Sequence, residues 1–302
     1  MSAGNLAMAR PSRPKVYLRL GRVSNLPTVW TNCLAGIFLG GGLTDLATLL
    51  PVFVALSLFY TGGMFLNDAF DHRYDAEFRP ERPIPAGQIA LREVYAAGFV
   101  QLGLGLALLG VPGLLQEKTP EPLALLGGLV LGLLIIYYNF RHKTDPMSPF
   151  IMAFCRGLVY FIAAAAVANA LAPAVMWSIL VMVGYLVGLT YVAKQENLAE
   201  VGNLWPLLFL AVPFAYGLPL VLRFDWQSMF YLFFLAWVLY SLFFLLRTKN
   251  HSIPRAVISL IAGIALLDGL LIMRVGPLEP WARATLPAFA LTLVLQKFVP
   301  GT

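Results

Sequence analysis

The residues best suited to chemistry lie in a polar stretch, Asn67 to Gly87, between two long apolar segments. If residues 67 to 75 are helical, Asn67, Asp71 and Asp75 share one face, because they are spaced four apart. Mg²⁺ takes a few oxygen ligands and completes its shell with water and substrate phosphate. The stretch therefore predicts a magnesium site at the edge of an apolar segment, with Asp71 and Asp75 as catalytic carboxylates. A solvated acidic helix end followed by a proline-rich loop is the alternative.

A second pair of carboxylates, Glu196 and Glu200, follows another apolar segment. They are also spaced four apart, so on a helix they would share a face and could hold a second Mg²⁺. The pair alone is a weak signal, and a solvated helix end is the alternative. Two acidic clusters that face each other across a helical bundle fit a diphosphate held by Mg²⁺, which makes it a better leaving group. Glu196 and Glu200 are therefore predicted to be catalytic and metal-binding.

Basic side chains near these clusters are candidates for binding phosphate through charge-assisted hydrogen bonds. Arg156 stands inside an apolar segment, where a charged residue is a functional candidate by default. Snorkelling to the membrane surface is the alternative for Arg156, and a simple membrane anchor is the alternative for the others. The predicted diphosphate-binding residues are Arg22, Asn25, Arg73, Arg82, Lys143, Arg156 and Lys194, with Arg79 in the same basic loop. The histidines show no metal-ligand spacing and are predicted to face solvent: His72, His142 and His251.

These residues are embedded in a strongly apolar chain. Of its 302 residues, 59% are hydrophobic and only 12% are charged, about half the charged share of a soluble protein. Apolar runs long enough to cross a bilayer recur from end to end, which indicates a polytopic α-helical membrane protein. A basic segment, residues 1–25, precedes a single membrane domain, residues 26–302. Nine spans are predicted at 26–44, 47–66, 91–112, 121–139, 149–171, 174–193, 204–222, 226–246 and 255–273, with a possible additional C-terminal helix at 284–298.

The basic residues also predict an orientation. With the N-terminus in the cytoplasm, most of the 21 Lys and Arg residues fall on the cytoplasmic side. Only Lys118, Arg223, Arg274 and Arg283 fall outside. This bias follows the positive-inside rule and places both acidic clusters in cytoplasmic loops, with the cell inner membrane as the expected location. The net charge of +6 is thus explained by topology and by attraction to membrane lipids, and no nucleic-acid partner is expected.

The first polar stretch also carries a family resemblance. Asn67, Asp68, Asp71 and Asp75, followed after six residues by the run Arg82 to Gly87, resemble the first signature of the UbiA superfamily of intramembrane prenyltransferases. The six-residue gap is similar to that of the chlorophyll synthase branch. The resemblance implies nine transmembrane helices around a central cavity, Mg²⁺ bound by two aspartate motifs, and a polyprenyl diphosphate donor. It also adds Asp68 to the metal site.

Two departures from the family pattern bear on activity. Where the family's second motif usually carries aspartates, this chain has Glu196 and Glu200, and His72 stands in place of a frequent arginine. The resemblance implies Mg²⁺-dependent transfer of a polyprenyl group to a small-molecule acceptor, aromatic or hydroxyl-bearing, within the membrane. A non-catalytic carrier or scaffold that keeps lipid-diphosphate binding is the alternative. A secondary transporter is a further alternative.

Overall fold

The computed structural model describes residues 11–42, 46–115, 122–167, 170–194, 205–246, 252–276, 279–299 and 301. Every regular element in these ranges is helical. The α-helices are α1 (Arg13–Leu20), α2 (Leu26–Leu39), α3 (Leu46–Phe70), α4 (His72–Phe78), α5 (Leu91–Leu108), α6 (Val111–Leu115), α7 (Pro122–Arg141), α8 (Ser148–Val167), α9 (Pro173–Lys194), α10 (Val212–Val221), α11 (Trp226–Leu246), α12 (Ile253–Val275) and α13 (Glu279–Leu295). Short 3₁₀ helices at Val23–Asn25 and Trp205–Ala211 lead into α2 and α10.

Every predicted membrane segment contains a helix within the described residues, but these helices differ in length. Within the described ranges, seven segments are long and apolar enough to cross a membrane: α3, α5 with α6, α7, α8, α9, α11 and α12. Shorter apolar helices occupy Trp205–Val221 and Trp281–Leu295. The chain is therefore an all-α integral membrane protein, as predicted, whereas the count of nine spans stays a prediction.

The first predicted segment is shorter than expected, since α2 ends at Leu39 rather than near residue 44. Gly41 has a φ of 80°, in the left-handed region that favours glycine. The N–H of Gly41 donates to the carbonyl of Phe38 at 2.9 Å, and the N–H of Gly42 donates to that of Ile37 at 2.9 Å. This bonding pattern is a Schellman motif, which ends a helix by satisfying its last carbonyl groups.

The centre of the bundle is formed by α2 and α12, which pack against each other and against α8 and α9. Small residues permit the closest approaches between helices. A Cβ atom on Gly36 of α2 would lie 2.5 Å from the carbonyl oxygen of Tyr160 in α8, so only glycine fits there. The remaining long helices pack around these four, and their outer faces carry many exposed apolar side chains.

A buried polar group joins three of the central helices. Asp268 of α12 is fully buried, and both of its carboxylate oxygens accept hydrogen bonds from Asn32 Nδ2 of α2, at 2.7 and 2.8 Å. The hydroxyl of Tyr160 in α8 also donates to Asp268. A buried carboxyl group without partners is costly, so this set of hydrogen bonds fixes how the three helices meet.

The Asn32–Asp268 pair gives a stability prediction. Asn32→Leu is expected to lower the free energy of unfolding by about 2 kcal/mol, because it leaves the Asp268 carboxyl group without two of its bonds. The double variant Asn32→Leu with Asp268→Leu should regain most of this loss, since replacing both partners removes the unsatisfied group. Chemical unfolding in detergent micelles measures both changes. A double variant less stable than Asn32→Leu alone would contradict this account.

Candidate active site

The acidic stripe, formed by Asn67, Asp71 and Asp75, lies at one end of the bundle, where α3 passes into α4. The N–H of Asp71 donates to the carbonyl of Asn67 at 3.0 Å, and the N–H of Asp75 donates to that of Asp71 at 2.9 Å. The backbone therefore keeps helical hydrogen bonding from α3 into α4, and the three side chains have the spacing of one helix face. Asn67 and Asp71 line a cavity, while Asp75 is only 2% exposed.

Arg82 ties the acidic residues together. Its Nη1 lies 3.0 Å from Asp68 Oδ1 and 3.2 Å from Asp75 Oδ2. Burial raises the pKa of Asp75 above its usual value, and the charges of Asp71 and Asp68 raise it further, although Arg82 opposes them. The second carboxylate oxygen of Asp75, Oδ1, is buried and accepts no hydrogen bond from the residues described. This oxygen is therefore left for a cation to bind.

Asp71 has its own basic partners. Lys143 Nζ lies 2.9 Å from Asp71 Oδ1, and His142 Nε2 lies 3.5 Å from Asp71 Oδ2. Burial alone would raise the pKa of Asp71, but the hydrogen bonds and charges of His142 and Lys143 outweigh it and hold the pKa below its usual value. The carboxylate is thus kept ionised. The Lys143 ammonium group also sits 3.5 Å from the centre of the Tyr74 ring, which fixes its position.

The prediction that His142 faces solvent was wrong, because its side chain lines the cavity and meets Asp71. Its placement follows from the turn at the end of α7, where the His142 N–H donates to the carbonyl of Tyr138 at 2.8 Å. In the sequence, the feature that could have indicated a place for His142 in the site was its position directly before Lys143.

Arg22 reaches the stripe from the segment before α2. Its Nη2 donates to Asn67 Oδ1 at 3.3 Å and lies 3.5 Å from Asp68 Oδ1. The backbone of Arg22 has a φ of 42°, a left-handed conformation that is uncommon for a residue with a side chain. Asn67 in turn donates through Nδ2 to Asn139 Oδ1 at 3.2 Å, so the amide of Asn67 turns its oxygen toward the arginine. Asn139 is a further site residue that the sequence did not indicate.

The cavity at this end of the bundle has a volume of about 320 Å³. Its charged and amide-bearing wall includes Arg22, Asn25, Asn67, Asp71, Arg79, Arg82, His142 and Arg156. An adjoining apolar pocket of about 110 Å³ extends between α3, α7 and α8. The two spaces share Tyr60, Met64, Tyr138, Met152 and Arg156 as lining residues. Together they form one site that is charged on one side and apolar on the other.

Arg156 lies where the charged cavity meets the apolar pocket. Its Nη2 donates to the hydroxyl of Thr28, and its guanidinium carbon lies 5.9 Å from the centre of the Tyr60 ring. Its Nε is buried and makes no hydrogen bond to the residues described. Arg156 therefore faces the interior of the bundle, and snorkelling to the membrane surface is not its role here.

Four predicted site residues lie outside both the cavity lining and its adjoining ion pairs, or outside the described residues. Arg73 is exposed on α4 and is absent from the cavity lining, because it sits two positions after Asp71 and so points away from that face. Lys194, at the end of α9, donates to Ser148 Oγ at 3.0 Å. Glu196 and Glu200 lie outside the described residues, so the second metal site stays a prediction.

The stripe offers a donor set that suits Mg²⁺. Within the described ranges, no group of three or more His, Cys, Asp or Glu side chains is arranged to hold a metal ion. Asn67, Asp71 and Asp75 nevertheless supply oxygen atoms, which are the ligands that Mg²⁺ prefers, and the free Oδ1 of Asp75 is one of them. Mg²⁺ typically takes only one or two carboxylates and completes its shell with water and substrate phosphate. These residues therefore fit Mg²⁺ bound together with a phosphate-bearing substrate.

Comparison with known proteins identifies the family. The model of the UbiA prenyltransferase family matches residues 29–204, which is more than half of the chain. The chain belongs to the UbiA prenyltransferase family. Family membership makes it a transferase of alkyl groups other than methyl, and it confirms the resemblance seen at the first acidic motif. The closeness of that motif to the chlorophyll synthase branch stays a prediction.

The relatives of this UbiA-family chain carry different enzyme names. Digeranylgeranylglyceryl phosphate synthase of Methanopyrus kandleri is 29% identical over 69% of this chain and 72% of its own length. The 4-hydroxybenzoate octaprenyltransferase of Aeromonas hydrophila is 31% identical over 55% of this chain and 56% of its own length. The chain is thus similar in sequence to enzymes of two different names, a digeranylgeranylglyceryl phosphate synthase and a 4-hydroxybenzoate octaprenyltransferase.

Two solved structures share the fold of this UbiA-family chain. A structure of digeranylgeranylglyceryl phosphate synthase has a TM-score of 0.52 at 21% identity, covering 93% of this chain and 95% of its own. An apo UbiA homologue from Aeropyrum pernix K1 also has a TM-score of 0.52, at 14% identity, covering 91% of this chain and 98% of its own. At these identities the similarity establishes the fold alone, and it confirms the predicted UbiA-like helical bundle.

Proposed function

We propose that this chain transfers a polyprenyl group from a polyprenyl diphosphate to a small-molecule acceptor within the membrane, in a Mg²⁺-dependent reaction. The observation that carries the proposal is the two-part site, in which a charged cavity of about 320 Å³ adjoins an apolar pocket of about 110 Å³. A prenyl diphosphate has this same division, with an anionic head and a hydrocarbon tail. Tyr60, Tyr138 and Arg156 line both spaces and so lie where head and tail would join.

The diphosphate head is assigned to the charged cavity. Arg22, Arg82 and Arg156 line it, and their guanidinium groups bind phosphate oxygens through charge-assisted hydrogen bonds. Lys143 holds Asp71 at the edge of this wall and adds positive charge beside it. Asn67, Asp71 and Asp75 are the proposed ligands of a first Mg²⁺, with Asp68 fixing Arg82 beside them. Glu196 and Glu200 are proposed to hold a second Mg²⁺, and Lys194 stands directly before that loop.

The bond changes follow from this placement. Mg²⁺, when bound, would act as a Lewis acid that makes the diphosphate a better leaving group. The bond between C1 and the bridging oxygen breaks, the diphosphate keeps the electron pair, and an allylic cation remains. The rings of Tyr60 and Tyr138 line the junction and can stabilise that cation through their π-faces, while the apolar pocket keeps water away. The acceptor then forms the new bond to C1 and loses a proton.

The acceptor and the setting are proposed more broadly. The relatives are named for a glyceryl phosphate lipid and for an aromatic acid, so a hydroxyl-bearing or an aromatic acceptor is expected. We place the N-terminus and the site on the cytoplasmic side of the cell inner membrane. The bias of basic residues supports this orientation, because Arg22, Arg82 and Lys143 all gather at the end of the bundle that holds the site.

Release of diphosphate tests the proposal. Purified protein with Mg²⁺ and either farnesyl or geranylgeranyl diphosphate should bind the donor and, with an acceptor, release inorganic diphosphate. Protein that neither binds the donor nor releases diphosphate would refute the proposal. Binding without release would favour the carrier function instead.

A further inference from the structure

The side-chain amide of Asn25 is held by residues from the opposite end of the chain. Asn25 is 4% exposed and lines the charged cavity beside Arg22. Gln296 Nε2 donates to Asn25 Oδ1 at 2.9 Å, and Asn25 Nδ2 donates to the carbonyl oxygen of Gly301 at 2.9 Å. Both polar atoms of the Asn25 side chain are therefore bound by residues that follow α13.

The segment that follows α13 is built to reach this position. The N–H of Gln296 donates to the carbonyl of Thr292 at 2.9 Å, and the N–H of Val299 donates to that of Leu295 at 2.9 Å, so helical bonding continues past α13. α13 also packs against the 3₁₀ turn Val23–Asn25. Gly301 is buried and is itself a lining residue of the cavity. Gly301 thus forms part of the cavity wall, and Gln296 contacts a residue of that wall, Asn25.

Gly301 leaves little room for a side chain. A Cβ atom at this position would lie 3.0 Å from Asn25 Oδ1, 3.3 Å from Asn25 Nδ2 and 3.4 Å from Gln296 Nε2. Any larger residue would therefore push on the amide of Asn25. Backbone and side chain from this one segment set where the amide lies.

We propose that Gln296 and Gly301 are positioning residues that hold the amide nitrogen of Asn25 at the wall of the charged cavity, where it faces the diphosphate of the donor. This inference rests on the proposed function. An asparagine amide can turn over and exchange its oxygen for its nitrogen, and the hydrogen bonds it makes decide which way it faces. Gln296 donates to the oxygen, so the nitrogen stays on the side of Gly301, with its second N–H next to the hydroxyl of Tyr60 at the wall of the charged cavity. Without Gln296, only the carbonyl of Gly301 fixes the amide, so its nitrogen is held less firmly at the cavity wall.

A double-mutant cycle on donor affinity tests this inference without an acceptor. The measurement is the Kd of geranylgeranyl diphosphate with Mg²⁺, by titration of the full chain in lipid nanodiscs. Asn25→Ala is expected to weaken binding about tenfold, as expected for one hydrogen bond to a charged group. Gln296→Met, which keeps the volume of the side chain, should weaken binding about fivefold. The double variant should bind no more weakly than Asn25→Ala, because Gln296 acts only through Asn25.

Gly301→Ala provides an independent second variant. Its added methyl group should weaken donor binding in the wild-type background and have no further effect in the Asn25→Ala background. Phe298→Ala is the matched control in the same segment, since Phe298 is 78% exposed. Gly103→Ala is the control for the glycine change, because no atom lies within 4 Å of its Cβ position. Both controls should bind the donor as the wild type does.

The outcomes separate this inference from the proposed function. Wild-type affinity in Gln296→Met, or losses that add in the double variant, would overturn the positioning role while leaving the proposed function intact. A wild-type chain that does not bind geranylgeranyl diphosphate in the presence of Mg²⁺ would overturn the proposed function, and the inference with it.

Discussion

Asp71→Asn is expected to abolish Mg²⁺-dependent binding of geranylgeranyl diphosphate, with affinity lowered about 100-fold or more. The substitution keeps the shape of the side chain and removes its charge. Asp71 lines the charged cavity, and its pKa is held below the usual value by His142 and Lys143, so the native carboxylate is ionised and ready to bind a cation. An amide in its place would leave the metal site with one fewer negative charge.

The measurement for Asp71→Asn is donor binding with and without Mg²⁺. Glu77→Gln makes the same chemical change on the exposed face of α4 and should leave the affinity unchanged. Binding by Asp71→Asn that still depends on Mg²⁺, with wild-type affinity, would show that Asp71 is not a ligand.

Arg82→Leu is expected to lower the free energy of unfolding strongly. Arg82 Nη1 contacts Asp68 Oδ1 at 3.0 Å and Asp75 Oδ2 at 3.2 Å, and its side chain is only 16% exposed. Removing it leaves two neighbouring buried carboxylates without their shared cation. Breaking a buried ion pair in this way costs about 3–5 kcal/mol of unfolding free energy. Without Mg²⁺, the variant should therefore unfold at a clearly lower temperature than the wild type.

Mg²⁺ should rescue Arg82→Leu in part, which separates this account from a general packing defect. A cation that binds the folded protein stabilises it, and the two buried carboxylates that lose Arg82 would gain more from that cation than the same carboxylates in the wild type. Thermal unfolding in detergent across a Mg²⁺ titration measures the difference. Arg92→Leu, at an exposed arginine in the first turn of α5, is the matched control. An equal response to Mg²⁺ in wild type and Arg82→Leu would contradict the assignment of the metal site.

Sequence patterns within a single segment predicted the fold and the core of the site. Helical periodicity was enough to place Asn67, Asp71 and Asp75 with the spacing of one face, because that relation spans only two turns. The same rule explains why Arg73 does not line the cavity, since it is offset from the stripe by two positions and is exposed. Arg156 was found because a charge within an apolar helix is costly unless it faces the bundle.

Contacts between distant segments could not be read from the sequence. Asn25 was predicted to bind phosphate, but its link to Gln296 joins residues 271 positions apart, and no local pattern encodes such a pair. The position of His142 beside Asp71 likewise depends on how α7 packs against α3. The end of α2 at Leu39 could have been predicted from the sequence, because three consecutive glycines follow that residue and glycine commonly ends helices.

The most direct test of the central claim is the identity of the product. Protein in lipid nanodiscs would be incubated with Mg²⁺ and geranylgeranyl diphosphate, together with either 4-hydroxybenzoate or geranylgeranylglyceryl phosphate, and the products analysed by mass spectrometry. We predict an acceptor that is heavier by one prenyl group, with inorganic diphosphate released in equal amount, and loss of both when EDTA removes the metal. Donor that binds and stays intact with both acceptors would contradict prenyl transfer and identify the chain as a carrier of the lipid diphosphate.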